Sequence, residues 1–361
     1  MKILFIITGL GVGGAETQVC KLITELVKRG NQVKVISLSG EKIISPEIDD
    51  SEVIELHMKK NIFGFIMSYL KIISVIRDFR PDVIHSHMFH ANIISRLSAA
   101  MFTNIKLICT AHSKNEGGHL RMFIYRLTDF LCDTMTNVSQ EAVDEFIKLK
   151  AVKKDKIIAI HNGIDLEKFS PNINFRKKIR NELSIDKSTT VLMAIGRLTE
   201  AKDYPNLINA FDNVRRNNER VRLFIVGSGE EEHTIRLQVE NLGLGNYVSF
   251  LGMRLDIPEL LNACDLFILS SKWEGFGLVV AEAMACKRLV VATDCGGVKE
   301  VVGDAGILVE SSNTSLLSKS IDIALNLSLT KKNKLCNLAR KRIIEHYSMN
   351  SVVNKWIELY K

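Results

Sequence analysis

Thirteen short β-branched runs alternate with helical stretches along this chain, and the alternation restarts once near its middle. That pattern allows few folds. Runs such as ILFIIT (3–8), QVKVISL (32–38), VIEL (53–56), DVIHSH (82–87), KLICT (106–110), TMTNVS (134–139) and KIIAIHNG (156–163) lack strict polar alternation. Strands covered by helices on both sheet faces read this way, so the first half is expected to be a doubly wound α/β domain with a mainly parallel sheet. After the charged segment 174–188 the pattern resumes with VLMAIGR (191–197), VRLFIVGSGE (221–230), YVSFLG (247–252), DLFILSS (265–271), RLVVATDCGG (288–297) and AGILVE (305–310). Two α/β domains follow, over 1–170 and 171–345, with a ligand expected in a cleft at the C-terminal ends of both sheets. The last helical stretches, 331–347 and 350–360, carry Trp356 and Tyr360 on an apolar side that needs a surface to cover.

Charge and cysteine usage narrow the class of partner. Forty-eight Lys and Arg against 41 Asp and Glu leave a formal charge of +7, which favours anionic ligands such as nucleotides, phosphates or an acidic membrane surface. Seven scattered cysteines without a CxxC pair fit a reduced cytosolic chain. No apolar run reaches the ~18 residues that suggest a membrane-crossing helix. The opening MKILFIITGLG imitates a secretory signal, but it passes quickly into glycines and a polar helix, as a strand–turn–helix unit does. The expected location is the cytoplasm.

Glycine loops supply the first candidate anion sites. Gly9-Leu10-Gly11-Val12-Gly13-Gly14 satisfies G-x-G-x-x-G at the end of the first strand. There the backbone can approach a pyrophosphate, and the next helix offers free N–H groups. A dinucleotide site also wants an acid at the end of the second strand, where Ile36-Ser37-Leu38-Ser39-Gly40 stands with Glu41 displaced beyond it. The loop thus suits another phosphate ligand or a structural turn better than NAD. A second site lies after VLMAIG, where Arg197 and then Lys202 place a fork donor and a flexible ammonium at the mouth of a sheet. Solvated surface charge is the competing reading. The turn Gly227-Ser228-Gly229-Glu230 receives part of a nucleotide or simply reverses the chain.

The densest signal is residues 266–297. A strand ends at Ser270-Ser271, Glu274-Gly275-Phe276-Gly277 turns, and a helix opens at Leu278 with Glu282 near its start. Carboxylates close to a helix start are favoured as anions, so both acids suit hydroxyl groups as acceptors better than they suit proton donation. An ordinary helix-end charge is the alternative for Glu282.

These motifs, taken in order, resemble the retaining glycosyltransferases of family 4, and especially those of bacterial surface-polysaccharide synthesis. The resemblance rests on Gly13-Gly14-Ala15-Glu16, Asn162-Gly163-Ile164-Asp165, Gly196-Arg197 with Lys202, and Glu274 through Glu282. DIPELLNACDLFILSS before that last segment and ATDCGGVKEVVGDAGILV after it extend the match. It implies the GT-B fold, two Rossmann-like domains facing a cleft, with the donor held by the C-terminal domain and helix 346–361 returning to the N-terminal one. It further implies transfer of a sugar from a UDP- or GDP-linked donor to an acceptor hydroxyl. By likeness, Arg197 and Lys202 would hold the donor diphosphate and Glu282 the ribose hydroxyls. Glu274 would contact the transferred sugar with backbone N–H groups of Phe276, Gly277 and Leu278. Gly13 and Gly14 would close on the phosphate, Gly227 would line the nucleotide, and His112 would lie beside the donor sugar. A nucleotide-sugar epimerase, a nonenzymatic nucleotide-sugar binder or an NAD oxidoreductase remains as an alternative on the same architecture.

Other features are weighed against blander readings. His85, His87 and His90 near His112 invite a zinc site, but no cysteine pair or acidic ligand completes one. Substrate contact by His87 or His90 competes with local packing. An Asp-x-Asp pair for a divalent ion is absent, so metal-independent donor binding is expected. In residues 61–80, Ile62, Phe65, Ile66, Tyr69, Leu70, Ile73 and Ile76 form an apolar face expected to pack on the N-terminal sheet. Phe63 and Met67 stand partly off it, among Lys59, Lys60, Lys71, Arg77 and Arg80, and could touch an anionic membrane or a lipid-linked acceptor. Such contact would place the protein at the cytoplasmic face of the inner membrane. The cluster Arg176-Lys177-Lys178 with Arg180 is expected in solvent. Interleaved acids and the lack of a reading module argue against nucleic-acid binding.

Overall fold

The computed structural model describes residues 1–11, 13–40, 43–59, 61–114 and 116–361. Val12 of the glycine loop, Glu41 beyond the second strand and Lys60 of the basic cluster lie outside the described residues. The chain forms two compact units, Met1–Gly163 with Met349–Lys361, and Ile164–Ser348.

Each expected run holds a strand. The first unit contains β1 (Lys2–Ile7), β2 (Gln32–Ser37), β3 (Val53–Glu55), β4 (Val83–His87), β5 (Lys106–Ala111), β6 (Thr134–Asn137) and β7 (Ile157–Ala159). They form a parallel sheet in the order β3-β2-β1-β4-β5-β6-β7. The second unit contains β8 (Thr190–Ile195), β9 (Val221–Val226), β10 (Val248–Phe250), β11 (Leu266–Leu269), β12 (Leu289–Thr293) and β13 (Ile307–Val309), ordered β10-β9-β8-β11-β12-β13 and also parallel. In each sheet the order reverses beside its first strand, between β1 and β4 and between β8 and β11. Connections leave in opposite directions at such a point and open a crevice at the C-terminal strand ends.

The buried strand β1 shows why alternation is missing. Ile3, Phe5 and Ile7 pack beneath the helices Gly14–Lys28 and Met349–Tyr360, while Leu4 and Ile6 pack beneath Ile62–Phe79 and Phe89–Ala99. The C-terminal helix thus completes the first unit, with Trp356 and Tyr360 buried. Tyr360 Oη lies 2.8 Å from His85 Nδ1.

Two sequence expectations need correction here. Helix Ile62–Phe79 buries Gly64, Ser68, Ile72, Ile73, Val75 and Ile76, leaving Ile62, Ile66 and Leu70 exposed beside Phe63 and Met67. The helix is apolar nearly all round, so composition does not set its rotation. Gly64 lies on the buried side, where a Cβ would stand 2.5 Å from the carbonyl oxygen of Lys59 in the preceding loop. Arg176 and Arg180 are not free solvent charges either. Arg176 pairs with Asp265 at 2.6 Å and donates to the Ala263 carbonyl at 2.9 Å, and Arg180 reaches Asp265 at 3.3 Å. They tie helix Ile173–Glu182 to the start of β11.

Candidate active site

In the second unit the polar groups gather at the reversal between β8 and β11. The chain leaves β8 through Gly196-Arg197, makes a short 3-10 turn at Glu200–Lys202, and enters helix Tyr204–Asn217 with Pro205 in its first turn. It leaves β11 through Ser270-Ser271 and reaches helix Leu278–Ala285 after the Glu274–Gly277 turn. These loops are fastened together. Ser270 Oγ donates to the Lys202 carbonyl at 2.8 Å, and Lys272 N donates to the Ala201 carbonyl at 2.8 Å. Across this seam Lys202 Nζ forms an ion pair with Glu274 Oε1, which also accepts from Ser271 Oγ at 2.9 Å. The pair is mostly buried, with side-chain exposures of 23% for Lys202 and 13% for Glu274. Residues distant in the sequence thereby fix a carboxylate and an ammonium at one crevice.

Arg197 is exposed on the same loop and makes no ion pair with a described residue. Gly277 is the N-cap of helix Leu278–Ala285, and no side chain caps that end. Phe276 is buried against Tyr347. Glu282 is the fifth residue of the helix, half-buried, so it stands in the second turn rather than at the start. The helix-end field fades within the first turn, so Glu282 lies beyond its main reach.

Gly227 has a packing role that its sequence context hid. Its φ is +131°, and a Cβ there would lie 2.0 Å from the Gly196 carbonyl oxygen. The loop after β9 consequently lies flat on the loop after β8, with Leu198 N donating to the Ser228 carbonyl at 3.0 Å and Glu231 N to the Leu198 carbonyl at 3.0 Å. Gly296 does the same for the acid: with φ +56°, its absent Cβ would lie 1.9 Å from the Glu274 carbonyl oxygen. The CGG motif after β12 is in the sequence, but only the fold shows that its second residue supports Glu274.

In the first unit Gly13 is the uncapped N-cap of helix Gly14–Lys28, which carries Glu16 in its first turn. His112 follows β5 directly. Its Nε2 lies 3.1 Å from His87 Nδ1, and its backbone N–H donates to Glu116 at 3.0 Å. Burial pulls the His112 imidazole down to about 4, so it is a neutral hydrogen-bonding group at neutral pH. His85 and His87 also fall well below the usual range, first through burial and then through neighbouring histidines. His85 and His87 share one face of β4 with ring centroids 4.1 Å apart. His87 Nε2 is buried without a partner among the described residues, beside a cavity of about 20 Å³ that His112, His161 and Gln18 also line. His90 is exposed on the next helix. Among the described residues no three His, Cys, Asp or Glu side chains are grouped to hold a metal. Sequence spacing suggested a set of histidines; the structure instead makes His87 the partner of His112.

Comparison with known proteins agrees with this architecture. The family model described as Glycosyltransferase Family 4 matches residues 12–168, and that described as Glycosyl transferases group 1 matches residues 175–342. An uncharacterized glycosyltransferase of Methanocaldococcus jannaschii is 25% identical over 97% of this chain and 94% of its own. An N,N'-diacetylbacillosaminyl-diphospho-undecaprenol alpha-1,3-N-acetylgalactosaminyltransferase of Campylobacter jejuni is 31% identical over 61% of this chain and 58% of its own. The crystal structure of Anabaena HepE in complex with UDP and glucose superposes with a TM-score of 0.85 at 22% identity, covering 99% of each chain. Two Rossmann-like units matched in tandem by these two models define the chain as a glycosyltransferase of the GT-B fold.

Proposed function

We propose that the chain is a retaining family 4 enzyme that moves a sugar from a UDP- or GDP-linked donor to a hydroxyl of a glycan or lipid-linked oligosaccharide. The observation that carries this reading is the Lys202–Glu274 pair at the β8–β11 reversal, with Arg197 exposed beside it. Breaking the bond from sugar to diphosphate leaves negative charge on the departing oxygen, and fixed cations there favour the transition state over the ground state. Arg197 and Lys202 take that role, with Glu274 exchanging its hold on Lys202 for hydroxyl contacts to the transferred sugar. The amides of Phe276, Gly277 and Leu278 support the same group, and Glu282 accepts from the ribose hydroxyls. Gly13, Gly14 and Gly227 allow close backbone approach to the nucleotide, and neutral His112 donates to or accepts from the donor sugar. The leaving phosphate oxygen takes the acceptor proton in a same-face reaction, so no separate base is assigned. Donor binding proceeds without a divalent ion.

The first unit serves the acceptor and the second the donor. Support for a uridine donor comes from the UDP and glucose bound to Anabaena HepE. Support for a lipid-linked acceptor comes from the undecaprenol-linked substrate named for the Campylobacter relative. Such an acceptor puts the enzyme in the cytoplasm at the inner membrane, in surface-polysaccharide synthesis.

The test is a thermal-shift panel of UDP, GDP, their common sugars and NAD, without metal, on the wild type and Glu282→Ala. A ligand that binds only the folded state raises its apparent stability. A shift with one nucleotide family that shrinks in the variant is the expected result. A shift with NAD alone would sink the reading.

A further inference from the structure

Two helices on one face of the first sheet expose large apolar side chains that the fold leaves uncovered. On helix Ile62–Phe79 the outward residues are Ile62, Phe63, Ile66, Met67 and Leu70, with Phe63 70% exposed. On helix His119–Thr128 and the turn after it they are Leu120, Phe123, Leu127 and Phe130, the last 76% exposed. Between them runs helix Phe89–Ala99, which contacts both and turns Leu97 outward. Single exposed apolar residues are ordinary, but a stripe on each of two helices flanking a third marks a binding surface.

Charge identifies what covers it. Residues 56–77, 83–115 and 117–128 contain no Asp or Glu. Lys59, Lys71, Arg77 and Arg126 are exposed around the stripes, and the acid Asp78 stands only at the far end of the first helix. A second copy of the chain would bring these cations against each other, which opposes self-pairing. An anionic bilayer supplies both an apolar layer for the side chains and headgroups for the cations.

We infer that this three-helix face docks flat on the surface of an anionic lipid bilayer, with the apolar residues of Ile62–Phe79 and His119–Thr128 entering the headgroup boundary. Both outer helices start at the C-terminal edge of the sheet, the edge where His112 follows β5. Docking therefore brings that edge to the membrane, from which a lipid-linked hydroxyl would be presented. Only this purpose rests on the proposed acceptor; the docking itself does not.

The experiment is co-sedimentation of the full chain with vesicles of phosphatidylcholine alone or with added phosphatidylglycerol. Binding to the anionic vesicles is expected to be at least about tenfold tighter and to weaken with salt. Phe63→Ser with Met67→Ser, and separately Phe123→Ser with Leu127→Ser, should each reduce it by about tenfold. Leu255→Ser, at an exposed position of the second unit, should leave it unchanged. Equal or absent binding to both vesicles, or full binding by both double variants, overturns the inference. Light scattering that finds a dimer dispersed by the same substitutions also overturns it, in favour of self-association. Nucleotide-induced thermal shifts should be the same in all these proteins, so a failure to dock is read separately from a failure of the donor site.

Discussion

Lys202 and Glu274 are each other's counter-ion, so changing either one alone leaves a partly buried charge without compensation. Lys202→Met is expected to cost about 1–2 kcal/mol, less than a fully buried pair would because both side chains retain some solvent. Adding Glu274→Gln should recover part of that stability while transfer stays lost, by about a hundredfold or more for groups placed at developing charge. Urea unfolding of the two single variants and the double variant checks the first statement, and donor-turnover rates check the second. Equal stability in all four proteins would show that the pair does not couple. Both residues were legible in the sequence as candidates. Their pairing was not, since 72 positions separate them and only the adjacency of β8 and β11 brings them together.

At the scale of elements, the loops after β8 and β9 are in backbone contact because Gly227 has no side chain. Gly227→Ala would need a φ that L-residues rarely adopt and would press a methyl group into the Gly196 carbonyl. A loss of about 2 kcal/mol or more is expected. The shift induced by nucleotide should fall as well, because the Arg197 loop would be displaced. Denaturant midpoints with and without nucleotide measure both effects, and a variant as stable as wild type would refute the packing argument. The strands themselves were readable from β-branched runs, as was helix Gly14–Lys28 from its polar and apolar spacing. The rotation of helix Ile62–Phe79 was not readable, because an apolar ring around most of a helix gives periodicity no phase to report.

For the whole molecule, three histidines of the first unit link stability to pH. His85, His87 and His112 are held neutral in the folded state, with His112 at about 4. The unfolded chain binds protons near the ordinary imidazole value of about 6.5. The unfolded state therefore gains protons first as pH falls. The stabilisation is complete above about 6.5 and is lost below it, by up to about 1.4 kcal/mol per pH unit for each histidine. Melting temperatures should drop between about pH 7 and 5.5, before most carboxylates titrate. His85→Asn should make the slope shallower. An identical slope in that variant would remove His85 from the account.

The sequence by itself determined the fold class, the two α/β repeats and the loops that carry candidate chemistry, because strand and helix patterning and turn residues are local properties. Tertiary structure decided which of those loops meet. It joined Lys202 to Glu274, set Gly296 beneath that acid, paired His87 with His112, and took Arg176 and Arg180 out of solvent to hold Asp265. It also turned Ile62, Ile66 and Leu70 outward. The physical reason is the same throughout: contacts between residues far apart in the chain depend on strand order and close backbone approach, which no local pattern of apolar and polar residues encodes.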